Sequence, residues 1–358
     1  METQLTALPK LFIGMDIHKK SWSVHFRTDI SDHKSLTMPA DADVLYNYVH
    51  SHFPNHQVSL TYEAGCCGFS VSRYFLNLGW NVLVVNPADI PRMDKQTYQK
   101  TDKIDSRNLA RQLQMGQLKG IYIPSESQDE LKCLLRQRAL ITKQLRIAKG
   151  TIKALLLYQG ISIPAEYDNP NWSKAFLGWL QAIQWNGTNG QICMQSKLRM
   201  YECIHQEYLD LSNALRAYCR KQHKKDYYLL KSIPGVGGYL ASAILAELGD
   251  LRRFNTETQF ASYVGLIPMI QNSGGKENIF GVTPRCRSLL RSYIIEAAWV
   301  ALRFDPSIQA YYRKHLGKNP KSIIVKIARK LLNRMLSVIK NEVPYQINYT
   351  KTEFMKTA

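Results

Sequence analysis

The chain has 358 residues, of which 45% are hydrophobic, more than one hydrophobic core usually serves, so two or three domains are expected. No apolar run of about 18 residues occurs and the first residues lack the basic-then-apolar layout of a signal peptide, which argues against a membrane protein and for the cytoplasm. Seven cysteines, an odd number without paired C-x-x-C spacing, argue against a disulfide framework or a zinc site and read as reduced packing residues.

The formal net charge is +19, unevenly placed. Residues 1–105 hold 10 Lys/Arg against 11 Asp/Glu, and residues 106–358 hold 37 against 17. A near-neutral first part is thus followed by a strongly basic remainder, as suits a partner that is a polyanion, above all nucleic acid.

In chain order, Leu11 to His18 reads as an apolar strand that ends by delivering Asp16, and Trp22 to Phe26 alternates as its neighbour. Asp41 to Phe53 has helical spacing. Val58 to Glu63 is the next strand, ending in a carboxylate, Gly68 to Leu78 a helix, and Trp80 to Val85 a strand stopped by Asn86-Pro87. The order β-β-α-β-α-β-α predicts a mixed sheet flanked by helices, with Asp16 and Glu63 at the carboxyl ends of strands, where open sheets collect ligands. Lys100 to Arg111 then opens a helix whose Asp102 and Asp105, three apart, share a face and can point at one place. Taken alone, such a pair reads first as helix-capping and dipole-favoured residues and second as metal ligands. His18, two residues past Asp16, reads more readily as a packing or solvated residue than as a ligand.

Ser127 to Leu157 has long helical character, and from Leu131 to Lys153 it carries seven Lys/Arg and no acid, so intrahelical ion pairs do not explain its polar face. A Trp/Asn/Gly-rich interruption follows over 169–190, and helix resumes from about Met194 to Leu230. The two helices predict an antiparallel hairpin, an oligomerisation arm. Ile233 to Gly237 places Gly235 and Gly237 in a turn between helices, where backbone N–H groups can approach a phosphate or the chain simply turns tightly. Gln271 to Lys276 is a polar, glycine-rich loop in which Ser273 has permissive glycines on one side and Lys276 nearby. By pattern this is an ordinary turn or an exposed nucleophile. Tyr311 to Lys340 reads as one basic helix, with nine Lys/Arg and no acid and an apolar stripe from Ile323 to Leu336, so that Lys326, Arg329 and Lys330 could track a nucleic-acid backbone.

These motifs, in this order, resemble the DEDD transposases of bacterial insertion sequences, the IS-one-ten group of bridge-RNA-guided recombinases. The resemblance is carried by Gly14-Met15-Asp16-Ile17-His18-Lys19, Tyr62-Glu63-Ala64-Gly65, Val85-Asn86-Pro87 and Lys100-Thr101-Asp102-Lys103-Ile104-Asp105. It continues in Ile233-Pro234-Gly235-Val236-Gly237, Gly265-Leu266-Ile267-Pro268, Asn272-Ser273-Gly274 and Leu290-Arg291, and so spans nearly the whole chain. It implies an α/β plus all-α architecture. Residues 1–125 would form a RuvC-like (RNase H-like) mixed-sheet catalytic domain, 126–228 a helical hairpin or coiled-coil arm, and 229–358 a helical transposase domain with a helix-hairpin-helix-like turn.

The resemblance further implies that Asp16, Glu63, Asp102 and Asp105 form an acidic tetrad holding Mg²⁺, two ions in all, and that Ser273 is the nucleophile. Metals and serine would form a composite site, with contributions from different protomers of a dimer or tetramer. Lys100, Lys103, Gly235, Gly237, Lys276, Arg291, Lys326, Arg329 and Lys330 are the candidate nucleic-acid contacts. The expected partners are double-stranded DNA, at element ends and target, and a guide or bridge RNA, with no membrane, and the expected place of action is the bacterial nucleoid. The usual glycine-isoleucine-threonine-lysine stretch departs here to Gly281-Val282-Thr283-Pro284, and a commonly small position is Cys286. Two other functions fit the same residues: a hydrolytic RuvC-like nuclease of junction-resolvase type, in which Ser273 is idle, and a non-catalytic nucleic-acid-binding scaffold.

Overall fold

A computed structural model describes residues 8–90, 101–273 and 276–347, with the side chains of 270–273 and 276–280 left out of the description. The chain divides into two compact units, residues 1–125 and 126–358.

In the first unit, β1 (Lys10–Ile17) pairs antiparallel with β2 (Ser21–Thr28), which pairs antiparallel with β3 (Asp32–Pro39). Helix α1 (Ala42–His52), capped by Asp41, leads to β4 (Gln57–Glu63), which lies parallel to β1, and α2 (Ser70–Asn77) leads to β5 (Asn81–Val85), parallel to β4. The sheet order is β3-β2-β1-β4-β5. The mixed-sheet, RuvC-like architecture expected from the sequence is what this unit shows, with one strand more. Asp32–Pro39 reads Asp-His-Lys-Ser-Leu-Thr-Met-Pro, polar on most positions as an edge strand can be, so it gave no apolar alternation to detect.

Alternation sorts the two faces of the sheet. Leu11, Ile13 and Met15 of β1, Trp22, Val24 and Phe26 of β2 and Leu60 and Tyr62 of β4 join Leu45, Val49 and Phe75 of α1 and α2 in one buried core. The opposite face carries α3 (Asp102–Gln114). Gly14 makes that packing possible, because a Cβ there would overlap the Ser106 carbonyl oxygen and the Ala110 amide nitrogen.

The second unit takes in both expected helical regions. Helix α4 (Glu126–Tyr158), α5 (Lys174–Ala182) and α6 (Thr188–Gln222) come first, followed by α7 (Lys224–Lys231), α8 (Gly238–Leu248) and α9 (Glu257–Val264). A hairpin of β6 (Pro268–Ser273) and β7 (Lys276–Val282) precedes α10 (Ser288–Phe304), α11 (Pro306–Lys314) and α12 (Pro320–Asn341). Leu131 and Leu135 of α4 share a core with Leu215 and Cys219 of α6, whereas Ile152 and Leu156 share one with Met194 and Leu198. The two helices therefore run antiparallel. Residues 169–190, which match no motif, supply α5 and the aromatic cluster of Trp172, Phe176 and Trp179 that closes this end of the hairpin.

Two sequence expectations change here. The basic stretch from Tyr311 to Lys340 is two helices, because Gly317 takes φ +95° and Pro320 opens α12 at its first turn. The resumed helix after the insertion likewise breaks at His223, between α6 and α7. On α4 the cationic face is smaller than its composition suggests. Lys132 and Arg138 are buried, and Arg138 stacks on the rings of Tyr239 and Tyr208 while donating to the Ser212 hydroxyl.

Candidate active site

Asp16 and Glu63 stand together by register. Met15 pairs with Tyr62 across the parallel strands β1 and β4, so the next residue of each, Asp16 and Glu63, sits at the carboxyl end of its strand. Both lie on the face opposite Leu11, Ile13, Leu60 and Tyr62, which is the face covered by α3. Each is half-buried.

Helix α3 brings the other two acids. Thr101 is its N-cap, accepting from the Ile104 amide at 3.3 Å, so the cap is filled by a hydroxyl and both Asp102 and Asp105 remain in the first turn. There the unsatisfied amides and the helix dipole favour negative charge. Ser106, four residues after Asp102, sits over Gly14, and Gln114 at the far end of α3 donates to the Thr28 carbonyl beside the start of β1. The helix thus runs against β1, with its first turn over the strand's carboxyl end. Asp102 is exposed, and Asp105, one turn on, is half-buried on the side that carries buried Ser106 and Leu109.

One grouping of candidate ligand atoms among the described residues includes His18, which its sequence position assigns more readily to packing or a solvated strand end. His18 Nε2 lies 3.5 Å from Asp16 Oδ2 and 3.3 Å from Asp102 Oδ2. One ligand atom from each of Asp16, His18 and Asp102 falls within 4.8 Å of the others. The signal in the sequence was spacing: residues two apart at a strand end leave from the same side. The cluster is rich in carboxylate oxygen, open to water and flanked by a further carboxylate on the adjacent strand, a donor set that fits a hard divalent cation retaining part of its hydration shell.

Beside this cluster lies a second polar network absent from the sequence reading. His25 of β2 is almost wholly buried, with Nε2 2.7 Å from Asp32 Oδ1 and Nδ1 2.9 Å from Ser35 Oγ. Burial pushes the His25 pKa below its usual value, against the raising effect of Asp32. The neutral ring then donates from Nε2 to Asp32 and accepts the Ser35 hydroxyl proton at Nδ1. Burial alone would raise the Asp32 pKa, but hydrogen bonds from His25 and Arg107 outweigh it and hold the carboxyl at about 2. Arg27 Nη1 approaches the same carboxylate at 3.1 Å.

The remaining sequence candidates fall as follows. Lys100 lies outside the described residues. Lys103 is exposed on α3, next to Asp102. Ser273 ends β6 and pairs with Lys276, the first residue of β7, so both flank Gly274-Gly275 at the hairpin end. Gly235 takes φ +88°, and a Cβ there would overlap the Ala297 carbonyl of α10, whereas a Cβ at Gly237 would meet open space. The Gly235 position is therefore set by close helix packing. The Arg291 guanidinium donates to the Thr283 carbonyl at 2.7 Å and to the Gly265 carbonyl at 3.3 Å, tying α10 to the segments flanking the hairpin. Lys326 and Lys330 are exposed and Arg329 half-buried on α12, with Lys330 4.5 Å above the Tyr311 ring. No helix among the described residues is long and apolar enough to cross a membrane.

Comparison with known proteins identifies the family of the chain. The model of a DEDD transposase family matches residues 13–159, the stretch that contains all four acids, and the model of the transposase IS116/IS110/IS902 family matches residues 227–313, which contain Ser273. Together they cover about two thirds of the chain. A protein of Sinorhizobium fredii carrying a transposase name, y4qE, is 28% identical over 77% of this chain and 67% of its own length. The transposase for insertion sequence element IS1111A of Coxiella burnetii is 25% identical over 64% of this chain and 62% of its own. The pilin gene-inverting protein of Moraxella lacunata is 24% identical over 94% of this chain and 98% of its own. With both family models falling in order on a chain whose first sheet strand and first turn of α3 bring Asp16 and Asp102 together around His18, this protein belongs to the DEDD transposases of the IS110 family.

Proposed function

We propose that this chain cleaves and rejoins DNA strands to mobilise an insertion sequence, with Mg²⁺ held by Asp16, Glu63, Asp102 and Asp105. The observation that carries the reading is the convergence of Asp16 and Asp102 Oδ2 on His18 Nε2 at 3.5 and 3.3 Å, at the strand ends where Glu63 also sits, in a chain of a DEDD transposase family. Bound Mg²⁺ would supply charge stabilisation at a phosphodiester undergoing in-line displacement.

The protein's own residues supply the rest. Asp16 and Glu63 are fixed by parallel-strand register and Asp102 and Asp105 by the first turn of α3, so the carboxylates are positioned before substrate arrives. Ser273 is the attacking group in this proposal. Its Oγ forms a bond to phosphorus as the P–O bond to one deoxyribose breaks, the hydroxyl proton passes to solvent or a nearby base, and the released sugar oxygen takes up a proton. Attack by a second strand's hydroxyl on the serine ester reverses the exchange and frees Ser273, so phosphodiester energy is conserved. The proposal includes a guide RNA and an oligomer of this chain. It is supported by the family, by the basic second unit and by the lack of a zinc finger or homeodomain pattern in the sequence to read bases directly.

The test is DNA cutting by the full chain with Mg²⁺, labelled element-end DNA and RNA transcribed from the flanking sequence. Asp16→Ala and Asp102→Ala should abolish every cut product while DNA binding persists. Unchanged cut products in both variants would mean that these acids do not hold the catalytic metal.

A further inference from the structure

Between β3 and the first turns of α3 lies a cleft of about 420 Å³ lined by His25, Asp32, His33, Lys34, Ser35, Lys103 and Arg107. We propose that it is a phosphodiester subsite that grips the backbone of the DNA strand leading to the acidic cluster. The inference rests on the reading of that cluster as the cutting site.

Charge is the first argument. Lys34, Lys103 and Arg107 line the cleft with a single carboxylate, Asp32, and that carboxylate is already engaged by Arg107, by Arg27 and by the His25 ring. The cleft therefore presents net positive charge, while its one acid fixes a guanidinium instead of repelling a ligand. Arg107 remains 64% exposed although it is tied to Asp32, so its planar donor set is held in place and accessible, as anion recognition requires.

The support under Arg107 is the second argument. Asp32 is held by buried His25, and His25 in turn by the Ser35 hydroxyl. Ser35 Oγ also lies 3.5 Å from the Lys103 carbonyl, which places the edge strand beside the start of α3 while the hydroxyl proton goes to His25. Burying the His25 ring carries a desolvation cost that an edge strand does not need for stability, but the ring sets the direction of Asp32 and, through it, of a guanidinium that must meet a ligand.

Position is the third. Lys103 follows Asp102 directly, and Arg107 stands five residues on along α3, about 7.5 Å at 1.5 Å per residue. That spacing is a few phosphates on one DNA strand, so the gripped phosphate would lie within a few nucleotides of the one being cut. The cleft contributes register and affinity, not chemistry.

The test measures binding, so it stands apart from cutting. Affinity of the full chain for a labelled element-end DNA duplex is measured at several salt concentrations, with Ca²⁺ in place of Mg²⁺, for wild type, Arg107→Gln and Lys34→Gln, and again for DNA with single neutral methylphosphonates stepped away from the cut position. The inference expects Arg107→Gln to weaken binding about 3- to 10-fold whatever the base sequence, with a shallower salt dependence by about one phosphate contact. It also expects one methylphosphonate within a few nucleotides of the cut to weaken wild type but not Arg107→Gln. Equal methylphosphonate effects in wild type and variant at every position would overturn it, as would weakened binding of RNA with DNA affinity unchanged. Should Asp102→Ala leave cutting intact while the methylphosphonate pattern holds, the reading of the acidic cluster fails and the backbone grip stands.

Discussion

Gly14 of β1 lies directly beneath Ser106 of α3. An added methyl group would stand 3.0 Å from the Ala110 Cα and would overlap the Ser106 carbonyl oxygen outright. Because these neighbours are backbone, nothing can rotate away, and the height of α3 above the sheet is set by the missing side chain. That height carries with it Asp102, one turn before Ser106, and Asp105, its immediate neighbour.

Gly14→Ala should therefore lift the first turns of α3 and separate Asp102 from Asp16. Overpacking of this kind costs about 1–3 kcal/mol when neighbours can adjust, and backbone neighbours place this case at the upper end. The expected result is a lower melting temperature together with weaker Mn²⁺ binding, read by electron paramagnetic resonance of the free ion. Normal metal affinity in a protein melting at the wild-type temperature would show that the glycine does not set the site.

His18 adds an imidazole nitrogen to an oxygen-rich cluster. Nitrogen donors favour transition metals over Mg²⁺. If His18 reaches the bound ion, His18→Ala should lower Mn²⁺ affinity several-fold and leave Mg²⁺ affinity nearly unchanged. Equal losses for both ions would assign His18 to orienting Asp16 and Asp102, and no loss for either would remove it from the site.

Acid should loosen the β2–β3–α3 corner in two stages. The folded-state pKa of His25 is lowered by burial, so its contribution is present at neutral pH and fades as pH falls below about 6.5, where the unfolded ring takes a proton. The Asp32 pKa is lowered from 3.8 to about 2, so its contribution holds to lower pH and is lost between those values. Melting temperature against pH in wild type and His25→Gln checks the first stage. The variant should show a flatter profile from pH 7 to 5, and an equally steep one would place the titrating group elsewhere.

Much of the first unit was legible because its strands and helices carry strong periodicity. Apolar Leu11, Ile13 and Met15 mark one face of β1 and thereby assign Asp16 to the other, and Glu63 ends its strand in the same way. What escaped was polar or depended on distant partners. Strand β3 has too few apolar residues to announce itself, and His25, Asp32 and Arg107 meet only through sheet pairing and helix docking. His18 looked like a solvated strand end until α3 brought Asp102 to 3.3 Å from it. In the second unit, Lys132 and Arg138 counted as part of a basic face although burial removes them from it, because a charge count does not show which side of a helix packs. Gly317 and Pro320 carried the break between α11 and α12 in plain view, but the apolar stripe on either side outweighed them.

The most direct measurement of the proposed chemistry is the end state of the cut DNA strand. Labelled element-end DNA is incubated with the full chain, Mg²⁺ and the flanking RNA, quenched in denaturant, and resolved before and after protease digestion. Wild type should yield a protein-linked strand that protease reduces to a peptide-linked one, and both Ser273→Ala and Asp102→Ala should yield none. Free cut ends, produced equally by wild type and Ser273→Ala, would contradict the serine mechanism and leave a hydrolytic nuclease.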